Sequence, residues 1–115
     1  MARKERLTTP DRRYFVTRGR LWRCTDPTLD DTERRTAVKA LMQARRAVQM
    51  ADTPEAERAA RADVDAAKHR LGERGPVWWD DGAPDEGGRH PKNTSYADWW
   101  ARLDAETRDR AEGKA

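Results

Sequence analysis

Two short runs rich in β-favouring apolar residues and bounded by polar ones lie near the start of the chain, Arg13-Tyr14-Phe15-Val16-Thr17 and Arg20-Leu21-Trp22-Arg23-Cys24, joined by Arg18-Gly19. β-Favouring runs on either side of an x-Gly dipeptide predict a hairpin over 13–25. A two-residue loop sets Val16 opposite Leu21 and Phe15 opposite Trp22, the cross-strand pairs that hold such a hairpin together. Two strands alone are marginal in water, so the hairpin must pack on something else.

Past Asp26-Pro27 the period lengthens. Val38, Leu41, Met42, Arg45 and Val48 recur at helical spacing and predict a helix over 30–51, with acidic residues at its positive end. Asp52-Thr53-Pro54-Glu55 is a cap followed by a first-turn proline, and it opens a second helix over 54–71 with Ala60, Val64, Ala67 and Leu71 on one face. So short a connection makes the two antiparallel neighbours. Residues 72–93 read as a long loop, and Ser95-x-x-Asp98 reads as the capping box of a last helix over 95–107. Residues 1–12 read as a flexible basic arm and 108–115 as a frayed tail, leaving a single domain over 13–107. The expected fold is mostly α: an antiparallel helical hairpin and a third, C-terminal helix, with a small N-terminal β-hairpin and a long loop rich in Trp and Asp.

All eight aromatic residues fall outside the helical hairpin. The core is therefore expected at the hairpin's open base, with Trp22 and Trp99 inside it. Adjacent residues point apart, so one member of each pair, Trp78-Trp79 and Trp99-Trp100, faces outward. Trp79 and Trp100 are the candidates for partner contact, since exposed tryptophans are characteristic of interface hot spots.

Charge divides the chain. Residues 1–24 carry eight Lys or Arg against two acids, whereas the remainder carries sixteen against nineteen. A basic segment on a near-neutral body points to an acidic partner. Arg12, Arg13, Arg18, Arg20 and Arg23 interleave with aromatic side chains, a combination suited to phosphate and base contacts. The competing reading places Phe15 and Trp22 in the core and makes the arginines a solvated, aggregation-resistant edge.

The other candidate chemistry is thin. Asp80, Asp81, Asp85 and Glu86, followed by His90, form an acidic loop that could dock a basic surface, but the spacing is not that of an EF-hand and Pro84 interrupts it. His69 sits four residues after Asp65 and reads as that residue's surface partner. Cys24 is the lone cysteine, which excludes an intrachain disulfide and a cysteine-rich zinc site. No Walker loop, nucleophile elbow, zincin motif or dinucleotide fingerprint occurs. No apolar run approaches the roughly 20 residues a membrane-spanning helix needs, and no signal-peptide pattern follows the basic start. A cytoplasmic location without membrane contact is expected.

Three blocks, Arg-Tyr-Phe-Val-Thr-Arg-Gly-Arg-Leu-Trp-Arg at 13–23, Gly-Glu-Arg-Gly-Pro-Val-Trp-Trp-Asp-Asp-Gly-Ala-Pro-Asp at 72–85 and Lys-Asn-Thr-Ser-Tyr-Ala-Asp-Trp at 92–99, carry a resemblance. Together with the helical hairpin between them, they make residues 11–103 similar to a family of short uncharacterised bacterial proteins, often labelled "biopolymer transporter Tol". The chain departs from that pattern at Glu-Gly-Gly-Arg, 86–89. The resemblance implies no particular activity.

The sequence thus points to a non-catalytic binding or adaptor protein, acting through exposed aromatics and the basic N-terminal region. A protein partner is expected first. RNA or DNA binding through the N-terminal hairpin is the alternative, and a metal-dependent enzyme using the acidic loop comes third. No metal or other cofactor is expected. Chelation should accordingly leave helicity and melting temperature unchanged, whereas a drop of several degrees with EDTA would revive the acidic loop as a cation site.

Overall fold

The structure, a computed structural model, describes residues 6–114. It is mostly α with a small antiparallel sheet, in the order β1 (Leu7–Thr8), β2 (Tyr14–Thr17), β3 (Arg20–Arg23), α1 (Asp31–Met50), α2 (Pro54–Arg70), a 3₁₀ turn (Pro91–Asn93), α3 (Ala97–Arg102) and α4 (Ala105–Ala111). The chain divides into two compact units. One comprises the described residues up to Cys24 and from Asp81 onward; the other is Thr25–Asp80.

In the second unit α1 and α2 pack side by side, and the start of each helix follows from its cap. Asp30 accepts the Glu33 N–H and Thr53 accepts the Ala56 N–H, each at an N-terminus whose first donors have no helical partner. Pro54 occupies the first turn of α2. Gly72, at φ +77°, ends the run beyond it; a Cβ there would meet Asp26 at 2.9 Å and Trp78 at 3.1 Å. The contact face differs from the expected stripe. Ala37, Leu41 and Ala44 are the buried residues of α1, and Ala60 and Ala67 those of α2. Ala37, Leu41, Ala67 and Leu71 form one cluster, with Leu29, Ala40 and Val64 packed against it. Val38 and Met42 point to solvent, Met42 with 56% of its surface exposed. Alanines let the helix backbones approach closely, and the longer side chains rotate out of the seam.

In the first unit, the Arg18-Gly19 turn carries φ +53° and +75°, the double positive φ of a type I′ hairpin. The resulting register pairs Val16 with Leu21 and Phe15 with Trp22, as the sequence predicts. Residues 7–12, expected in a flexible arm, instead supply a third strand and its turn: Leu7 pairs with Val16 and Thr8 with Phe15. Residues 1–5 of that arm lie outside the described residues. Beside β3, Gly88 donates to the Leu21 carbonyl at 2.7 Å and Leu21 donates to Arg89 at 2.9 Å, so the long loop covers an edge that would otherwise be open.

The expected last helix is two. Leu103 is extended, and Asp104 caps a new helix by accepting the Thr107 N–H. The tail expected to fray therefore begins inside a helix, whose Ala111 carbonyl accepts the Gly19 N–H at 3.0 Å. Ser95 does not cap α3; its N–H and hydroxyl both go to Glu86, at 2.8 and 2.6 Å.

Because the seam of the helical pair is thin, Leu41→Ala or Leu71→Ala should cost about 2–5 kcal/mol. Met42→Ala, which leaves no cavity, should change stability by less than about 0.5 kcal/mol. Urea denaturation followed by helicity measures both; equal costs at positions 41 and 42 would contradict the packing.

Candidate functional site

The N-terminal sheet has two faces of opposite character, because strand side chains alternate. Tyr14, Val16, Leu21 and Arg23 face inward and are buried, Leu21 completely. Phe15, Thr17, Arg20 and Trp22 face outward.

The inward face is held by a polar network that the acidic loop completes. The Tyr14 hydroxyl accepts the Glu86 N–H at 2.8 Å and lies 3.4 Å from Asp85 Oδ1. Its ring meets Tyr96 edge-on, with centroids 5.6 Å apart. Tyr96 in turn donates to Asp11 Oδ2 at 2.7 Å. Burial pushes the Tyr14 phenol up to about 12, with the neighbouring carboxylates adding to the shift. Burial and the bond to Asp11 likewise raise Tyr96. For Asp11 burial acts upward, but hydrogen bonds from Tyr96, Thr9 and the Arg13 N–H hold it below the usual carboxylate range. Arg13 bonds Asp81, lowering that carboxyl too, and Arg23 lies 3.9 Å from Asp85. Glu86, buried at 8% exposure, is taken up by Ser95.

These placements redistribute the expected contact residues. Arg13 and Arg23 face Asp81 and Asp85 within the same unit, so half of the acidic loop is neutralised by the arginines expected to meet a partner. Asp81, Asp85 and Glu86 thus bind their own unit, while Asp80 remains exposed. Among the described residues no group of His, Cys, Asp and Glu could hold a metal ion. Trp79 and Trp100, expected outside, are the buried members of their pairs at 8% and 7% exposure. Trp100 packs against the His90 ring, with centroids 5.0 Å apart, and Trp79 meets Trp78 edge-on. Trp99 is half-buried and Trp22 is 46% exposed, so Trp22 leaves the core to which the sequence assigns it. The reason is register: once Tyr14 and Leu21 face inward, their neighbours cannot. His69 keeps its expected partner, with Nδ1 3.3 Å from Asp65 Oδ2.

What remains open is the outward face. The Arg6 guanidinium lies over the Phe15 ring at 4.3 Å, within cation–π range. Trp22 is opposite Phe15, its indole N–H 3.4 Å from the Thr17 carbonyl. Arg12 and Arg18 sit at the two turns, and like Arg20 they have no carboxylate within 4.0 Å among the described residues. At the hairpin tip, Arg18, Gly19, Arg20, Gly88, His90, Glu112 and Lys114 line a cleft of about 450 Å³. His90 Nδ1 accepts the Lys92 N–H at 3.0 Å, which leaves the proton on Nε2 to be donated to Glu112 at 2.9 Å. That bond holds the Glu112 carboxyl below its ordinary value. Among the described residues lining the cleft there is no hydroxyl or thiol.

No family model, curated protein or solved structure matches the chain. The cleft and the Tyr14–Glu86–Ser95 network escape sequence reasoning. Asp104 is the one local signal that could have found the cleft, since its cap restarts the helix that leads to Glu112.

The buried phenol gives a test. A raised phenol contributes stability in full below its ordinary value of 10.0, and that contribution is lost as pH rises toward about 12. Tyr14→Phe should flatten this alkaline loss. At neutral pH it should also cost about 1–3 kcal/mol, because the buried Glu86 N–H loses its acceptor. Urea titrations at neutral and alkaline pH measure both effects; an unchanged alkaline limb would contradict the buried placement.

Proposed function

We propose that this is a cytoplasmic, non-catalytic binding protein whose docking surface is the outward face of the N-terminal sheet. The observation that carries the reading is Trp22, which is 46% exposed on a strand where alternation puts Arg20 on the same face. Trp22 shares this face with Phe15 and with arginines, and Trp and Arg are among the residues most enriched at interface hot spots. Among the described residues Arg6, Arg18 and Arg20 flank the two aromatics, and no acidic residue lies on β1, β2 or β3. The occupant is therefore acidic. The acidic loop serves this surface indirectly, by fixing the inward face through Tyr14 and Arg23. No helix among the described residues is long and apolar enough to cross a membrane.

Site-specific crosslinking in the native cell tests this reading. Trp22 replaced by a photoreactive phenylalanine should yield discrete adducts that disappear when Arg18→Gln and Arg20→Gln are added. Met42 replaced in the same way, more exposed than Trp22 but on α1, should yield none. Absence of adducts at position 22, or the same adducts at both positions, would overturn the docking surface.

A further inference from the structure

We propose that the occupant of this face is single-stranded nucleic acid, with bases stacked on Trp22 and on the Arg6-capped Phe15 and phosphates held by Arg20 and Arg18. The inference rests on the docking-surface reading above and names its partner. Three observations select this partner over an acidic protein surface. Phe15 and Trp22 are cross-strand partners in a hydrogen-bonded ladder, so both aromatic side chains leave the same face of a rigid support. Successive bases of a single strand need a platform of this kind, and stacking on aromatic rings tolerates any base. The Arg6 guanidinium over Phe15 adds a planar cation that can itself stack on a base.

The second observation is continuity. Arg20 lies on the outward face and also lines the cleft at the hairpin tip, where Arg18 joins it. Stacked bases and backbone anions are thereby offered to one ligand on connected ground. Glu112 does not spoil the cleft for an anion, because His90 Nε2 at 2.9 Å and Lys114 Nζ at 3.5 Å engage its carboxylate. The third is the lack of competition. Arg18 and Arg20 have no carboxylate within 4.0 Å among the described residues, so binding a phosphate breaks no ion pair. A duplex fits less well, since its base faces are already covered by their neighbours and only its phosphates could be reached.

The test is a fluorescence titration with labelled oligothymidine and oligouridine of about 10 nucleotides, and a duplex of equal length, at several salt concentrations. The single strands should bind more tightly than the duplex. Trp22→Ala should weaken them about ten-fold, the effect of losing one stacked base, while the melting temperature is preserved. The Arg18→Gln, Arg20→Gln double variant should reduce the slope of log affinity against log salt by about 1.4, two single-strand phosphate contacts. Arg46→Gln, an exposed charge on α1, should change neither. Equal affinity for duplex and single strand, or an unchanged affinity in Trp22→Ala, would overturn the proposal. So would an absence of binding at about 50 mM salt. In those cases protein adducts at position 22 would keep the docking surface and assign it to a protein, whereas no adducts would remove both.

Discussion

The Arg18-Gly19 turn closes the N-terminal hairpin in two residues, both at positive φ, and that closure fixes which side chains face in and which face out. A slip of one residue would move Tyr14, Val16 and Leu21 to solvent and bring Phe15 and Trp22 inside. The left-handed conformation costs an arginine about 1–2 kcal/mol. Burying Leu21 alone returns about 1.5–3 kcal/mol, and Tyr14 and Val16 bury in the same step. The choice of inward face is therefore decisive, and it commits two aromatics and an arginine to the surface.

Satisfying the inward face uses up the acidic loop. A buried arginine needs an anion and a buried phenol needs hydrogen-bond partners, so Arg23 and Tyr14 draw Asp85 and Glu86 onto the sheet. Glu86 then takes both polar groups of Ser95, and Asp11 takes the Tyr96 hydroxyl. Strand, loop and α3 are joined by these bonds. The loop that looks like a ligand site in the sequence is bound to its own unit, and at the hairpin tip Arg18 and Arg20 have no carboxylate within 4.0 Å among the described residues.

Local signals made much of the fold legible. Asp30, Thr53 and Pro54 mark their helix ends, and the x-Gly dipeptide gives the correct cross-strand register. Features that depend on tertiary choice were not legible. Leu7-Thr8 is too short to read as a strand and becomes one only by pairing with β2. Val38 and Met42 look like core by hydropathy, yet an alanine seam brings the two helices close and leaves them outside. Alternation alone leaves open whether the Phe15–Trp22 pair or the Val16–Leu21 pair faces inward; Tyr14 and its partners from a loop some seventy residues away decide it. The tryptophan pairs pose the same problem, and Trp100 goes inward against His90.

The exposure of Trp22 against the burial of Trp100 tests this account most directly. Protein labelled with fluorotryptophan gives one fluorine NMR line per tryptophan, and Trp22→Phe and Trp100→Phe assign the two that matter. A soluble paramagnetic agent should broaden the Trp22 line strongly and leave the Trp100 line sharp. A Trp22 line as protected as that of Trp100 would place the indole in the interior, and both the assignment of the sheet's faces and the docking surface built on it would be wrong.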